Sequence, residues 1–127
     1  MRAVYTVAST LLLCGCASTH NLNTDGHNLL GGGYRESQVH KGIFEIYTAT
    51  NWAPWVNTSG ARESWRARAK ELCGSEKFRE LEVSEGSFDQ MPAIFLVRYI
   101  VTHRHGYAVC ESSGLSDDEA LTFIRKR

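Results

Sequence analysis

Few side chains in this 127-residue sequence are placed where they could do chemistry. Four are thiols: Cys14, Cys16, Cys73 and Cys110. Their spacing is neither the Cys-x-x-Cys of a redox centre nor the doubled pair that holds zinc. His103 and His105 are two apart, so in a regular strand both rings would face the same way, and Glu111 could join them in a surface metal site. No spacing fixes a third ligand, so exposed histidines at a turn are the expectation and no metal is assigned. Trp52 and Trp55 flank Pro54 in a loop. Aromatic side chains so placed can stack on a glycan, dock a protein, or close one end of a small core. Glu80, Glu82 and Glu85 alternate along a strand and its end and could pair as acid and base, but an exposed acidic strand face is the ordinary explanation and the expectation. Ser59, Ser64 and Ser84 have no Gly-x-Ser-x-Gly context. Gly31-Gly32-Gly33 leads into an extended segment, not from a strand into a helix, so it is no phosphate loop. Arg62, Arg66, Arg68 and Lys70, offset by Glu63 and Glu71, read as a solvated helix face. Neither a catalytic group nor a cofactor is expected.

Composition narrows the classes further. Lys plus Arg and Asp plus Glu are both 14, so the formal charge is zero. Phosphate neutralisation needs a cationic excess, and a nucleic-acid partner is therefore not expected. The length suits one small domain.

The N-terminus sets the expected location. Arg2 is a short positive region, and Ala3 to Leu13 is an uncharged, mostly apolar run of 11 residues. A membrane-spanning helix needs about 20 residues, so this run has the length of a signal-peptide core instead. Leu13-Cys14-Gly15-Cys16 follows, and resembles the lipobox of bacterial lipoproteins. The resemblance implies cleavage between Gly15 and Cys16, where a small residue admits the peptidase, and acylation of the Cys16 thiolate. Cys14 follows the bulky Leu13 and fits less well. Several acyl chains together make a stable membrane anchor. Ala17 in place of Asp implies sorting to the outer membrane, with the domain facing the periplasm. Cys14 then leaves with the signal and Cys16 carries lipid, so Cys73 and Cys110 remain as an even pair in an oxidising compartment. One disulfide is the expectation.

Residues 1–15 are thus read as signal, 16–33 as acylated cysteine and flexible tether, and 34–127 as one domain. Residues 34–39 form a short extended segment, Lys41-Gly42 a turn, and Ile43–Ala49 a strand in which Phe44 and Ile46 alternate with Glu45 and Tyr47. The stripe Ala61, Trp65, Ala69, Leu72, Cys73 predicts a helix over 59–73, capped by Asn57, Thr58 or Ser59 and ended by Gly74. Phe78–Val83 is a second strand, with 84–92 a loop. Ala93–His103 is a strand apolar on both faces, hence central. Arg104-His105-Gly106 reads as a hairpin turn, with Tyr107–Glu111 running back. Ser116 and Glu119 form a capping box before a helix that turns Ala120, Phe123 and Ile124 inward. The expected fold is α+β, a two-layer sandwich in the order β-α-β-β-β-α. Its mixed sheet of about four strands is covered on one face by two helices.

Gly31-Gly32-Gly33-Tyr34 with Glu36, the Ile43–Ala49 strand, the helix ending Leu72-Cys73-Gly74, and Phe78 together resemble a group of small bacterial envelope lipoproteins of unassigned function. The likeness spans residues 11–84, while 85–127 share only a strand-hairpin character. Ser75-Glu76-Lys77 depart from the pattern, in which the strand follows the helix directly. The resemblance implies an α/β lipoprotein domain and transfers no catalytic residue. The expected role is a non-catalytic interaction or structural module, held to the membrane by its anchor and meeting an envelope protein or cell-wall glycan. The alternative is a ligand- or metal-sensing domain using the Trp52/Trp55 loop or the His103/His105 turn.

Overall fold

The computed structural model describes residues 20–92 and 96–127. The Leu13–Cys16 motif, the signal segment and Ala93–Phe95 of the expected central strand lie outside the described residues. The elements run β1 (Gly33–His40), β2 (Ile43–Ala49), α1 (Thr58–Cys73), β3 (Phe78–Asp89), β4 (Ile100–Cys110) and α2 (Asp117–Arg125). A 3-10 turn at Glu111–Ser113 precedes α2. The strands form one sheet in the order β1-β2-β4-β3.

The class is α+β, in the order β-β-α-β-β-α and not the expected β-α-β-β-β-α, and three further particulars differ from expectation. Every strand pairing is antiparallel, so the sheet is not mixed. β2 and β3 do run parallel, and α1 crosses between them, but β4 inserts between the two and pairs with both. Second, the helices lie on opposite faces. α1 packs Trp65 and Ala69 on Ile46 and Ala108, while α2 packs Ala120 and Ile124 on Ile43 and Val109. Ile46 and Ala108 alternate with Ile43 and Val109 along β2 and β4, which puts the two clusters on opposite sides of the sheet.

Third, Arg104-His105-Gly106 is not a turn. These residues are mid-strand in β4, and the chain reverses between Asp89, where β3 ends, and Ile100, where β4 begins. Tyr107–Cys110 therefore continues the strand, and residues 84–89 extend β3 instead of forming a loop. Gly106 is there for space. A Cβ on it would lie 2.8 Å from Val83 Cγ2 and 3.2 Å from Val83 Cα. Val83 presses in because β3 bulges: Leu81 pairs with Tyr107 and Ser84 with His105, one residue too many, and Glu82 takes a φ of 53°.

Local signals otherwise set the element ends. Asn57 accepts a hydrogen bond from Gly60 N at 3.0 Å and starts α1, and Gly74 ends it in the left-handed conformation. Ser116 and Glu119 make the reciprocal capping box of α2. The indole Nε1 of Trp65 donates to Ile46 O at 2.9 Å, and Thr48 Oγ1 to Ala61 O at 2.9 Å, fixing α1 on the sheet. The Cys73–Cys110 disulfide closes the end of α1 onto the end of β4.

Residues 20–32, expected to be a tether, fold back on the domain. Asn21 bridges Tyr34 in parallel at the outer edge of β1, Trp52 N donates to Leu30 O at 2.8 Å, and Gln90 Nε2 donates to Leu29 O at 2.9 Å. Gly31 permits this return with a φ of 85°, and a Cβ there would fall 1.8 Å from Gln90 Oε1. Among the described residues no helix is long and apolar enough to cross a membrane.

Candidate functional site

Strand alternation places Arg35 of β1, Glu45 and Tyr47 of β2, and His103, His105 and Tyr107 of β4 on one face. This is the face that α2 covers only at the Ile43–Val109 end. Segment 20–32 returns over the other end. The strip between stays open as two adjoining hollows. One, of about 410 Å³, is lined by Asn23, Arg35, Ser37, Glu45, Tyr47 and His105. The other, of about 450 Å³, is lined by Arg35, Tyr47, Phe88, Gln90 and residues of the returning segment. Arg35 and Tyr47 border both, with the guanidinium 4.6 Å from the ring centroid.

Charge in the first hollow centres on Glu45. His105 Nε2 lies 2.8 Å from Glu45 Oε1, and since a carboxylate only accepts, that ring nitrogen carries the hydrogen. Arg127, from the C-terminus, pairs with the other Glu45 oxygen and donates to Ser37 Oγ at 3.0 Å. Burial pushes the His105 pKa below its ordinary value, and the Arg35 charge pushes it the same way. Burial raises the Tyr47 hydroxyl, with Arg35 acting against it. At neutral pH this leaves a neutral imidazole and a neutral phenol between two guanidinium groups. Glu45 takes up the His105 Nε2–H and Arg127, so Arg35 and the aromatic faces are what the strip offers to a polar or anionic ligand.

His103 sits differently. Its ring lies 5.8 Å from Tyr47 and 6.1 Å from Phe88, centroid to centroid, over Gly86, whose missing Cβ makes room for it. Its Nδ1 is buried without a hydrogen-bond partner among the described residues. So the two histidines share a face, as a regular strand requires, but in a strand and not beside a turn. Glu111 lies beyond the far end of β4 and does not join them. Among the described residues no three His, Cys, Asp or Glu side chains group to hold a metal ion.

The Trp52/Trp55 loop is held over the end of the sheet. Ala53 bridges Ile100, and Asn57 N donates to Thr102 Oγ1 at 2.8 Å. Trp52 packs edge-on against Tyr99 with centroids 4.5 Å apart, and Trp55 is 60% exposed. Trp65 belongs to the core between α1 and the sheet.

Glu82 and Glu85 are exposed and Glu80 is half-buried, as an acidic strand face requires, but Glu80 and Glu85 are also engaged. The bulge shifts Glu85 onto the same side as Glu80, and together they clamp the buried Arg104. Arg104 also lies 5.3 Å from the Trp65 ring. Arg66 and Arg62 bind the outer sides of the two carboxylates. The acid–base possibility thus resolves into a structural ion cluster. A larger hollow of about 790 Å³ beside β3 is lined by groups already engaged in pairs: Arg66–Glu80, Lys70–Glu76 and Arg79–Asp117.

Sequence reasoning missed Arg35, Glu45, Tyr47 and Arg127 as a group. The alternation in Ile43–Ala49 already set Glu45 and Tyr47 apart from Phe44 and Ile46, and was the available signal. No protein-family model, curated protein or solved structure matches this chain.

Proposed function

We propose that this chain is a lipid-anchored, periplasm-facing envelope protein, acylated on Cys16 after cleavage at Gly15, and that its α+β domain is a non-catalytic interaction module. The observation that carries the reading is the Cys73–Cys110 disulfide, with a Cα separation of 5.3 Å, downstream of an N-terminus that resembles an acylation signal. Structural disulfides belong to oxidising compartments, and the acylation signal directs the chain to one. Anchoring at the inner face of the outer membrane follows from Ala17. The partner is then the membrane itself through the anchor, together with an envelope protein or cell-wall glycan. Intact mass of the protein extracted from membranes tests this. Residues 16–127 plus acyl chains, gaining about 2 Da on reduction, is the expected result. A full-length, unacylated chain with free thiols overturns it, and a Cys16→Ser variant should lose the acyl mass.

A second reading is favoured by the open strip itself, with a His103 Nδ1 that has no partner among the described residues and its Arg35–Tyr47 pair: the domain takes a polar or anionic ligand there. Movement of the His103 and His105 ring resonances on adding anionic fragments, abolished by Arg35→Gln, is the expected result. Unmoved resonances would dismiss it.

A further inference from the structure

One end of the sheet is apolar and nearly uncharged, and the chain enters the domain there. Gly33, Ala49, Asp89 and Ile100 meet at this end. The exposed large apolar side chains collect around it: Leu29 at 87% exposure, Leu96 at 99%, Trp55, Val56 and Met91. Three of the segments that carry them are tied together: Trp52 N donates to Leu30 O, the Gln90 side-chain amide to Leu29 O, and Ala53 pairs with Ile100. Across residues 27–33, 50–57, 90–92 and 96–99, Arg98 is the only Lys, Arg, Asp or Glu, and it is paired with Asp89. The opposite end carries Lys41, Lys70, Glu71, Glu76, Lys77 and the acidic start of α2.

We propose that this end docks on the phospholipid surface, with Leu29, Trp55 and Leu96 entering the interfacial layer. The inference rests on the lipid-anchor reading. His20 pairs its carbonyl with Tyr34 N at the start of β1, so the chain joins the domain at the apolar end. Three residues, four Cα steps, separate it from Cys16, a reach of at most about 14 Å. An acylated Cys16 therefore holds this end, and not the charged one, against the bilayer at high effective concentration. The composition matches that setting. Exposed aliphatic groups gain from leaving water, Trp and Tyr favour the membrane–water interface, and no unpaired charge has to be desolvated. Both the Trp52–Tyr99 pair and Trp55 lie here. Docking would leave the strip of Arg35, Tyr47 and His105 on a sheet face roughly at right angles to the membrane, open to a partner.

The acylated full-length protein, reconstituted in vesicles of phosphatidylethanolamine and phosphatidylglycerol with brominated acyl chains, tests this by tryptophan fluorescence. Trp55 should lose most of its emission to the bromine atoms, and Trp55→Phe should remove most of the quenchable signal while the buried Trp65 still emits. Leu29→Asp with Leu96→Asp touches two side chains that are almost wholly exposed. It should leave the protein on the vesicles through its acyl chains, yet restore Trp55 emission. An acylated wild type whose Trp55 ignores brominated lipid and stays open to acrylamide overturns the docking alone, and returns the patch to a protein partner. A preparation whose mass shows no acyl chains overturns the anchor and this inference with it.

Discussion

Replacing Glu85 by Gln removes one jaw of the clamp on Arg104. The Arg104 side chain is 6% exposed, and the Glu85 side chain 26%. Glu80 stays, with its oxygen 3.1 Å from the guanidinium. Removing one partner of a fully buried pair costs 3–5 kcal/mol; with Glu80 remaining and Glu85 partly solvated, we expect about 2 kcal/mol. That lowers the urea midpoint by about 1 M, taking a typical slope for a domain of this size. Arg104→Met keeps the stem against Trp65 and removes the charge, so Glu85→Gln in that background should cost under about 0.5 kcal/mol. Glu82→Gln is the control. Its side chain is half exposed and 3.9 Å from Arg125, and it should change stability by less than about 0.5 kcal/mol. The pH dependence has a definite sign. Burial raises the Glu85 pKa, but the Arg104 and Arg62 hydrogen bonds more than reverse this and leave it lowered. Its contribution is therefore full above the unfolded value of about 4.3 and is lost as pH falls through the folded value. The difference between wild type and Glu85→Gln should shrink on acidification. Equal midpoints at pH 7, or additive costs in the cycle, would refute the clamp and leave Arg104 solvated.

Other perturbations probe the remaining parts. Cys73→Ser with Cys110→Ala opens a loop of 37 residues and should cost about 4 kcal/mol in the chain-entropy account, read as a fall in urea midpoint matched by reduced wild type. Gly106→Ala pushes a methyl group into Val83 and should cost about 1–3 kcal/mol by denaturation; a neutral result would mean that the bulge relaxes freely. His105 should titrate by NMR below an ordinary histidine. Because the unfolded ring takes up its proton first, this group lowers stability as pH falls through about 6.5. Arg35→Gln should move the His105 titration upward.

The parts legible without coordinates were those decided by neighbours in the chain. The 3.6-residue stripe from Ala61 to Cys73 defined α1, because burying Trp65 and Ala69 needs only a helix and any apolar surface. Asn57, Gly74, Ser116 and Glu119 marked helix ends, because a cap is satisfied within a few residues. Alternation over Ile43–Ala49 located β2 to the residue. The even cysteine count pointed to the Cys73–Cys110 bond. Gly106 misled, since glycine beside Arg and His fits a turn as well as a close approach. Only Val83, brought in by the bulge of a neighbouring strand, distinguishes the two. The same bulge moved Glu85 beside Glu80 and turned an acidic run into a clamp on the buried Arg104. Helix placement was undecidable for a related reason: apolar residues show that α2 is covered, but not by which face of the sheet. The binding strip joins residues 35, 45, 47, 105 and 127, and the apolar end joins 29, 55 and 96. No local period links such distant positions, and it is the pairing of β4 between β2 and β3 that brings the sheet residues together, through register, into one surface.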